Sequence, residues 1–177
     1  MKKRVAVVAV NPVNGSGLFQ YLEAFYEHQI PYTVFAIAPT KDIKTNSGIK
    51  LQVDDVIGNL KGHEDEFDAL VFACGDAIPV FAQHAEEDHN QILLKVITTF
   101  AHKNKIIIGH CAAALIFEKA NITQNKKLAV HRLAQPAIQK KGIATNNEIE
   151  IDNNFYTAQD ENKIALLLPS LLPVLID

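Results

Sequence analysis

Four short segments of the chain are almost continuously apolar: Val5 to Val10, Tyr32 to Ala38, Ala69 to Cys74 and Lys105 to Gly109. Runs of this length predict strands buried on both faces of a parallel sheet, because neither side of such a pleat meets water. Longer stretches between them carry apolar residues at helical spacing. Leu18, Tyr21, Leu22 and Phe25 share one face of a helix over 18–28, and Ile92, Val96 and Phe100 mark another over 92–100. Strands alternating with helices predict an α/β fold: a doubly wound, mostly parallel sheet with helices on both faces.

Some segments depart from the alternation. Residues 48–53 read as a short strand after the turn-rich Lys44-Thr45-Asn46-Ser47-Gly48. Glu148 to Ile151 and Phe155 to Thr157 flank Asp152-Asn153-Asn154 and predict a small β-hairpin. The last helix is expected to begin near Asp160, whose carboxylate suits an N-terminal cap, and to end or kink at Pro169. The polar stretches 40–50 and 61–68 read as surface connections.

At 177 residues and 48% hydrophobic content, one domain spanning 1–177 is expected. A formal net charge of -3 leaves no broad basic surface, so neither nucleic acid nor an anionic membrane is an expected partner. The opening Met1-Lys2-Lys3-Arg4 mimics a secretion signal. The apolar run behind it is short and meets Asn11-Pro12 without a cleavage site, which favours a first strand. No segment has membrane-spanning length, and two cysteines make no disulfide framework. A cytoplasmic location is the expectation.

One of those cysteines holds an unusual position. In "KIIIGHCAAALIFEKA" (105–120) a strand ends at Gly109-His110-Cys111 and a helix begins at Ala112 or Ala113. Ligands of parallel α/β sheets gather at these strand ends. Unpaired N–H groups of a helix start favour a thiolate and lower the thiol pKa, and the small neighbours permit a nucleophile elbow. A buried structural cysteine is the competing reading.

This segment, with "DALVFACGD" (68–76), "KKLAVH" (126–131) and "DNNFYTAQD" (152–160), resembles the DJ-1/PfpI superfamily, related in fold to class I glutamine amidotransferases. The resemblance implies a flavodoxin-like domain with Cys111 as nucleophile and His131 as its catalytic partner. Gly75 and Ala112 would be the backbone donors to an oxyanion. It also implies a small-molecule substrate, a homodimer or larger homo-oligomer, and no obligatory cofactor. A thiolate attacking a carbonyl beside paired N–H groups is chemically coherent. Glyoxalase-, hydratase- or amidohydrolase-like addition is the expected reaction class.

The chain also departs from that pattern. The family glutamate after the first strand is missing from "NPVNGSGLF" (11–19), where only Asn14 and Ser16 are positioned to donate a hydrogen bond. PfpI peptidases carry histidine after the nucleophile, whereas this chain has Ala112 there and His110 before it, on the opposite strand face, so proteolysis is disfavoured. Cys74 replaces the first glycine of a Gly-Gly turn, Asp76 adds a carboxylate beside it, and Arg132 replaces a proline. A Cys74–Cys111 disulfide is one consequence to weigh against Cys74 as a small core residue.

Three further readings stay open. A depressed thiol pKa also suits a redox sensor without turnover. The glycine-rich loop 11–17 is placed where flavodoxin-like folds hold a flavin phosphate, but it lacks the threonine-rich signature. His84, Glu87 and His89 in "HAEEDHNQ" are candidate metal ligands at no recognised spacing; a solvated turn explains them as well, and no metal is expected.

Overall fold

The computed structural model describes residues 1–138 and 141–177. The first half contains β1 (Val5–Ala9), α1 (Gly15–Glu27), β2 (Tyr32–Ala36), β3 (Asp42–Lys44), β4 (Lys50–Gln52), β5 (Asp55–Val56), α2 (Ile57–Leu60) and β6 (Ala69–Ala73). The second contains α3 (Asp88–His102), β7 (Ile106–His110), α4 (Ala113–Lys119), β8 (Lys127–Ala129), β9 (Ile143–Thr145), β10 (Ile149–Asp152), β11 (Phe155–Ala158) and α5 (Ile164–Ile176).

The seven-stranded sheet runs β10-β11-β7-β6-β1-β2-β5. All of its pairings are parallel except that of the edge strand β10 with β11. Every residue of β1, β6 and β7 is buried, as their unbroken apolar runs require when helices cover both faces. After β1 the chain winds outward through β2, then crosses back to β6 on the other side of β1. That reversal opens a crevice at the carboxyl ends of β1 and β6.

The predicted hairpin forms, and its second strand enters the main sheet. β11 lies parallel beside β7, with Phe155 opposite Ile107 and Ala158 opposite His110. The late part of the chain thus reaches the end of β7. Two small sheets were not predicted in full. β4 falls inside the expected strand over 48–53, but its antiparallel partner β3 lies in the stretch read as a surface connection, and β8 pairs with β9 outside the main sheet.

Packing fixes α4 against the sheet. An added Cβ on Gly109 would sit 2.8 Å from the Ala113 Cβ and 2.9 Å from the Phe117 ring, so only glycine admits this approach. Phe117 then meets Phe72 and Phe155 edge-on at centroid distances of 6.0 and 6.2 Å.

The last helix has the expected cap and runs past the expected stop. Asp160 caps a single 3₁₀ turn, Glu161–Lys163, by accepting from the Asn162 N–H at 2.8 Å, and α5 starts only after it. Pro169 does not end the helix, which continues through both Pro169 and Pro173. These prolines share the exposed face, where the carbonyls they leave unpaired are open to solvent, while Ile164, Leu167, Leu171 and Leu175 hold the buried face.

Candidate active site around Cys111

Loops from both sides of the reversal converge near the end of β6. The Asn14 N–H donates to the Cys74 carbonyl at 2.8 Å. Gly75 backs onto the loop after β1 so closely that a Cβ there would lie 2.3 Å from the Pro12 carbonyl oxygen. Asn14 caps α1, its Oδ1 accepting from the Gly17 N–H at 2.6 Å. Ser16 is exposed, and its oxygens accept from the Gln20 side chain. Neither residue acts in the structure as the donor to Cys111 that the sequence suggested: one oxygen serves the cap and the other faces outward.

Cys111 has φ +58°, in the left-handed region where all other described non-glycine residues are Asn or Gln. Two distant segments fix it there. Its N–H donates to the Ala158 carbonyl and its carbonyl accepts from the His131 N–H, both at 3.1 Å. The side chain is half-buried, Cys74 is only 2% exposed, and no disulfide joins the two.

The Cys74 thiol beside the Cys111 sulfur, acting as donor, holds the Cys111 thiol below its ordinary range, helped by the Ala112 N–H and opposed by burial and the Glu161 and Asp160 carboxylates. The same contact, reinforced by burial, pushes the Cys74 thiol up. This revises the expected cause of activation. α4 is only seven residues long, so a local thiol donor and one N–H replace the field of a long helix. The Ala112 and Gly75 N–H groups, expected to serve an oxyanion, both reach the Cys74 sulfur.

His110 faces away into α1. A Cβ on Gly17 would sit 2.4 Å from its Nε2, so the imidazole takes the space that a side chain on the first turn of α1 would need. It packs on Tyr21 with centroids 5.8 Å apart, and both ring nitrogens and the Tyr21 hydroxyl lack a hydrogen-bond partner among the described residues. Burial lowers the His110 pKa to about 4, against a small opposing pull from Asp160. The ring is therefore neutral at neutral pH. Burial, with a smaller contribution from Cys74, likewise keeps the Tyr21 hydroxyl protonated.

His131 is half-buried, and its Nδ1 accepts from the Leu133 N–H at 3.3 Å. That contact selects the tautomer with a proton on Nε2. Asp76 is turned to Asn46: its carboxylate accepts from the Asn46 amide at 3.0 Å, and its N–H donates back at 3.1 Å. The carboxylates that do act on Cys111, Asp160 and Glu161, were missed as site residues. They arrive because β11 pairs with β7, and the Gln20 side chain on α1 holds the Glu161 carbonyl at 3.0 Å.

A cavity of about 390 Å³ opens beyond the loops after β1 and β6, lined by Pro12, Ala38, Asp76, Ile78, Phe81 and His89 among others; Cys111, Cys74 and His131 do not line it. On its rim Glu87 takes up both neighbouring imidazoles, His84 Nδ1 at 2.7 Å and His89 Nε2 at 3.0 Å. Among the described residues no group of three or more His, Cys, Asp or Glu side chains is arranged to hold a metal.

Residues 3–172 match the DJ-1/PfpI family. The chain is 63% identical to the protein ppBat of Bacteroides thetaiotaomicron over 175 residues, 99% of each chain. A crystal structure from the same bacterium, of a protein provisionally named a protease, superposes with a TM-score of 0.96 at 64% identity, covering 98% of this chain and 99% of that one. DJ-1β of Drosophila melanogaster shares the fold at a TM-score of 0.85 and 16% identity, over 99% of this chain and 91% of that one.

Proposed function

Because the chain belongs to the DJ-1/PfpI family, we propose that Cys111 is a nucleophile that adds to the carbonyl carbon of a small metabolite. The observation that carries this reading is the Cys111 thiol itself, held in a left-handed turn, half-buried, with its pKa lowered by the Cys74 donor. In the first step sulfur bonds to carbon, the C=O π pair moves to oxygen, and the oxygen ends with the proton lost by the thiol. Donors for the developing oxyanion are the Ala112 and Gly75 N–H groups. Cys74 sits at both, so a substrate oxygen displaces its sulfur or shares the Ala112 N–H with it.

His131 donates through Nε2 in the tautomer its Leu133 contact selects, and takes up a proton only if that long bond opens. Asp160 and Glu161 stand as the acidic side of the site, reached from the end of β11 in place of a glutamate in the loop after β1. The reading includes a homodimer or larger homo-oligomer in the cytoplasm; among the described residues no helix is long and apolar enough to cross a membrane. Proteolysis gains nothing from the geometry, since Ala112 follows the nucleophile and the His110 ring is packed into α1.

The test is a screen of aldehydes, isonitriles and amides with the wild type and Cys111→Ser, following product and covalent adduct by mass. Turnover or an adduct at Cys111 in the wild type alone is expected; activity that survives the substitution removes Cys111 from the chemistry. The redox-sensing reading is favoured by a separate observation, the second thiol beside the first.

A further inference from the structure

The two cysteines of this chain are neighbours across the sheet. β6 and β7 pair with a constant offset, Ala69 opposite Ile106 through Phe72 opposite Gly109. The ladder stops there, and Cys74 and Cys111 each follow it by two residues at neighbouring strand ends, with Cys111 already in its left-handed turn. Adjacent strands lie about 4.8 Å apart, which brings such ends near the roughly 4.4–6.8 Å between Cα atoms that a disulfide spans. The two sulfurs share the Ala112 N–H, which places them side by side.

Their exposures differ in a useful way. Cys111 is half-buried and meets solutes first, whereas Cys74, at 2% exposure, lies behind it. An oxidant arriving from solution therefore reacts at Cys111, and the nearest reductant to the product is Cys74. We propose that Cys74 is a resolving thiol for Cys111, so that the pair reduces hydroperoxides by way of a Cys74–Cys111 disulfide.

In the first step the Cys111 thiolate attacks one peroxide oxygen. The S–O bond forms, the O–O bond breaks, and the other oxygen leaves as an alkoxide or hydroxide that takes up a proton. Sulfur is oxidised by two electrons to the sulfenic acid and the peroxide is reduced to alcohol or water. In the second step the Cys74 sulfur attacks Cys111; the S–S bond forms, the S–O bond breaks, and hydroxide leaves with the Cys74 proton as water. A dithiol reductant then restores both thiols by exchange. This activity rests on the nucleophilic Cys111 of the reading above and makes no use of its carbonyl chemistry.

The experiment treats the full-length wild type with hydrogen peroxide, blocks remaining thiols with N-ethylmaleimide, and measures intact mass and peptide linkage. A loss of two hydrogens is expected, with a Cys74–Cys111 linked peptide within one chain that dithiothreitol reverses, and continued peroxide consumption while dithiothreitol is present. Cys74→Ser should instead gain one and then two oxygens at Cys111. Cys74→Ala serves if the serine variant does not fold, and the wild-type peptide map decides the matter without either. Direct conversion of wild-type Cys111 to its two-oxygen form, or links only between separate chains, would overturn the proposal. An aldehyde adduct at Cys111 in the same preparation would leave the carbonyl reading intact.

Discussion

A non-glycine residue at positive φ carries strain on the order of 1–2 kcal/mol, and at Cys111 that strain sits at the proposed nucleophile. Cys111→Gly is accordingly expected to unfold at a higher temperature than Cys111→Ser, by up to about 1 kcal/mol in stability, while neither forms an adduct. Equal melting temperatures would mean that the turn is relaxed. The two carboxylates supply a second prediction. Asp160 and Glu161 raise the Cys111 pKa, so Asp160→Asn and Glu161→Gln should each shift the thiolate titration, followed by alkylation rate against pH, to lower pH. Cys74→Ala, which removes the leading donor, should shift it upward; a shift down in that variant would reverse the assigned cause. The position of Cys111 was legible because Gly109 and the three alanines after it betray a tight strand-to-helix turn. The acidic neighbours were not, since Asp160 reads locally as a cap and its charge bears on the sulfur only through a strand pairing that no short window contains.

The junction of α1 and β7 depends on a glycine facing an imidazole. Gly17→Ala puts a methyl 2.4 Å from His110 Nε2, and overpacking of this kind costs about 1–3 kcal/mol. Combining it with His110→Ala should recover part of that loss in urea unfolding; additive losses would show that the two residues do not share the space. The elements themselves differed in legibility for a physical reason. β1, β6 and β7 announce themselves because full burial demands unbroken apolar runs. β3, β8 and β9 are three residues each, too short for an alternation to appear against the loops around them. Pro169 does not stop α5 because the buried stripe beyond it, Leu171 and Leu175, outweighs the hydrogen bond it removes.

For the whole molecule, the buried His110 links stability to pH. Its folded pKa of about 4 lies below the model-peptide value of 6.5, so the unfolded chain binds this proton more readily. The group costs nothing above pH 6.5. As pH falls from 6.5 toward 4 the unfolded state gains on the native one, and the loss levels off below, at on the order of 3 kcal/mol. Unfolding midpoints in urea should fall through that window in the wild type with a shallower slope in His110→Leu; matching slopes would place the titration elsewhere. The proposed homo-oligomer is checked by light scattering, where the mass of a single chain would exclude it. The fastening of Cys111 to Ala158 has a temporal consequence too. A ribosome delivers the chain from its amino end, so Cys111 is made well before the residue that anchors its amide. Until β11 has emerged, that sulfur belongs to an unfinished turn, and its capture by a labelling reagent on stalled nascent chains should change abruptly only once β11 is free to dock.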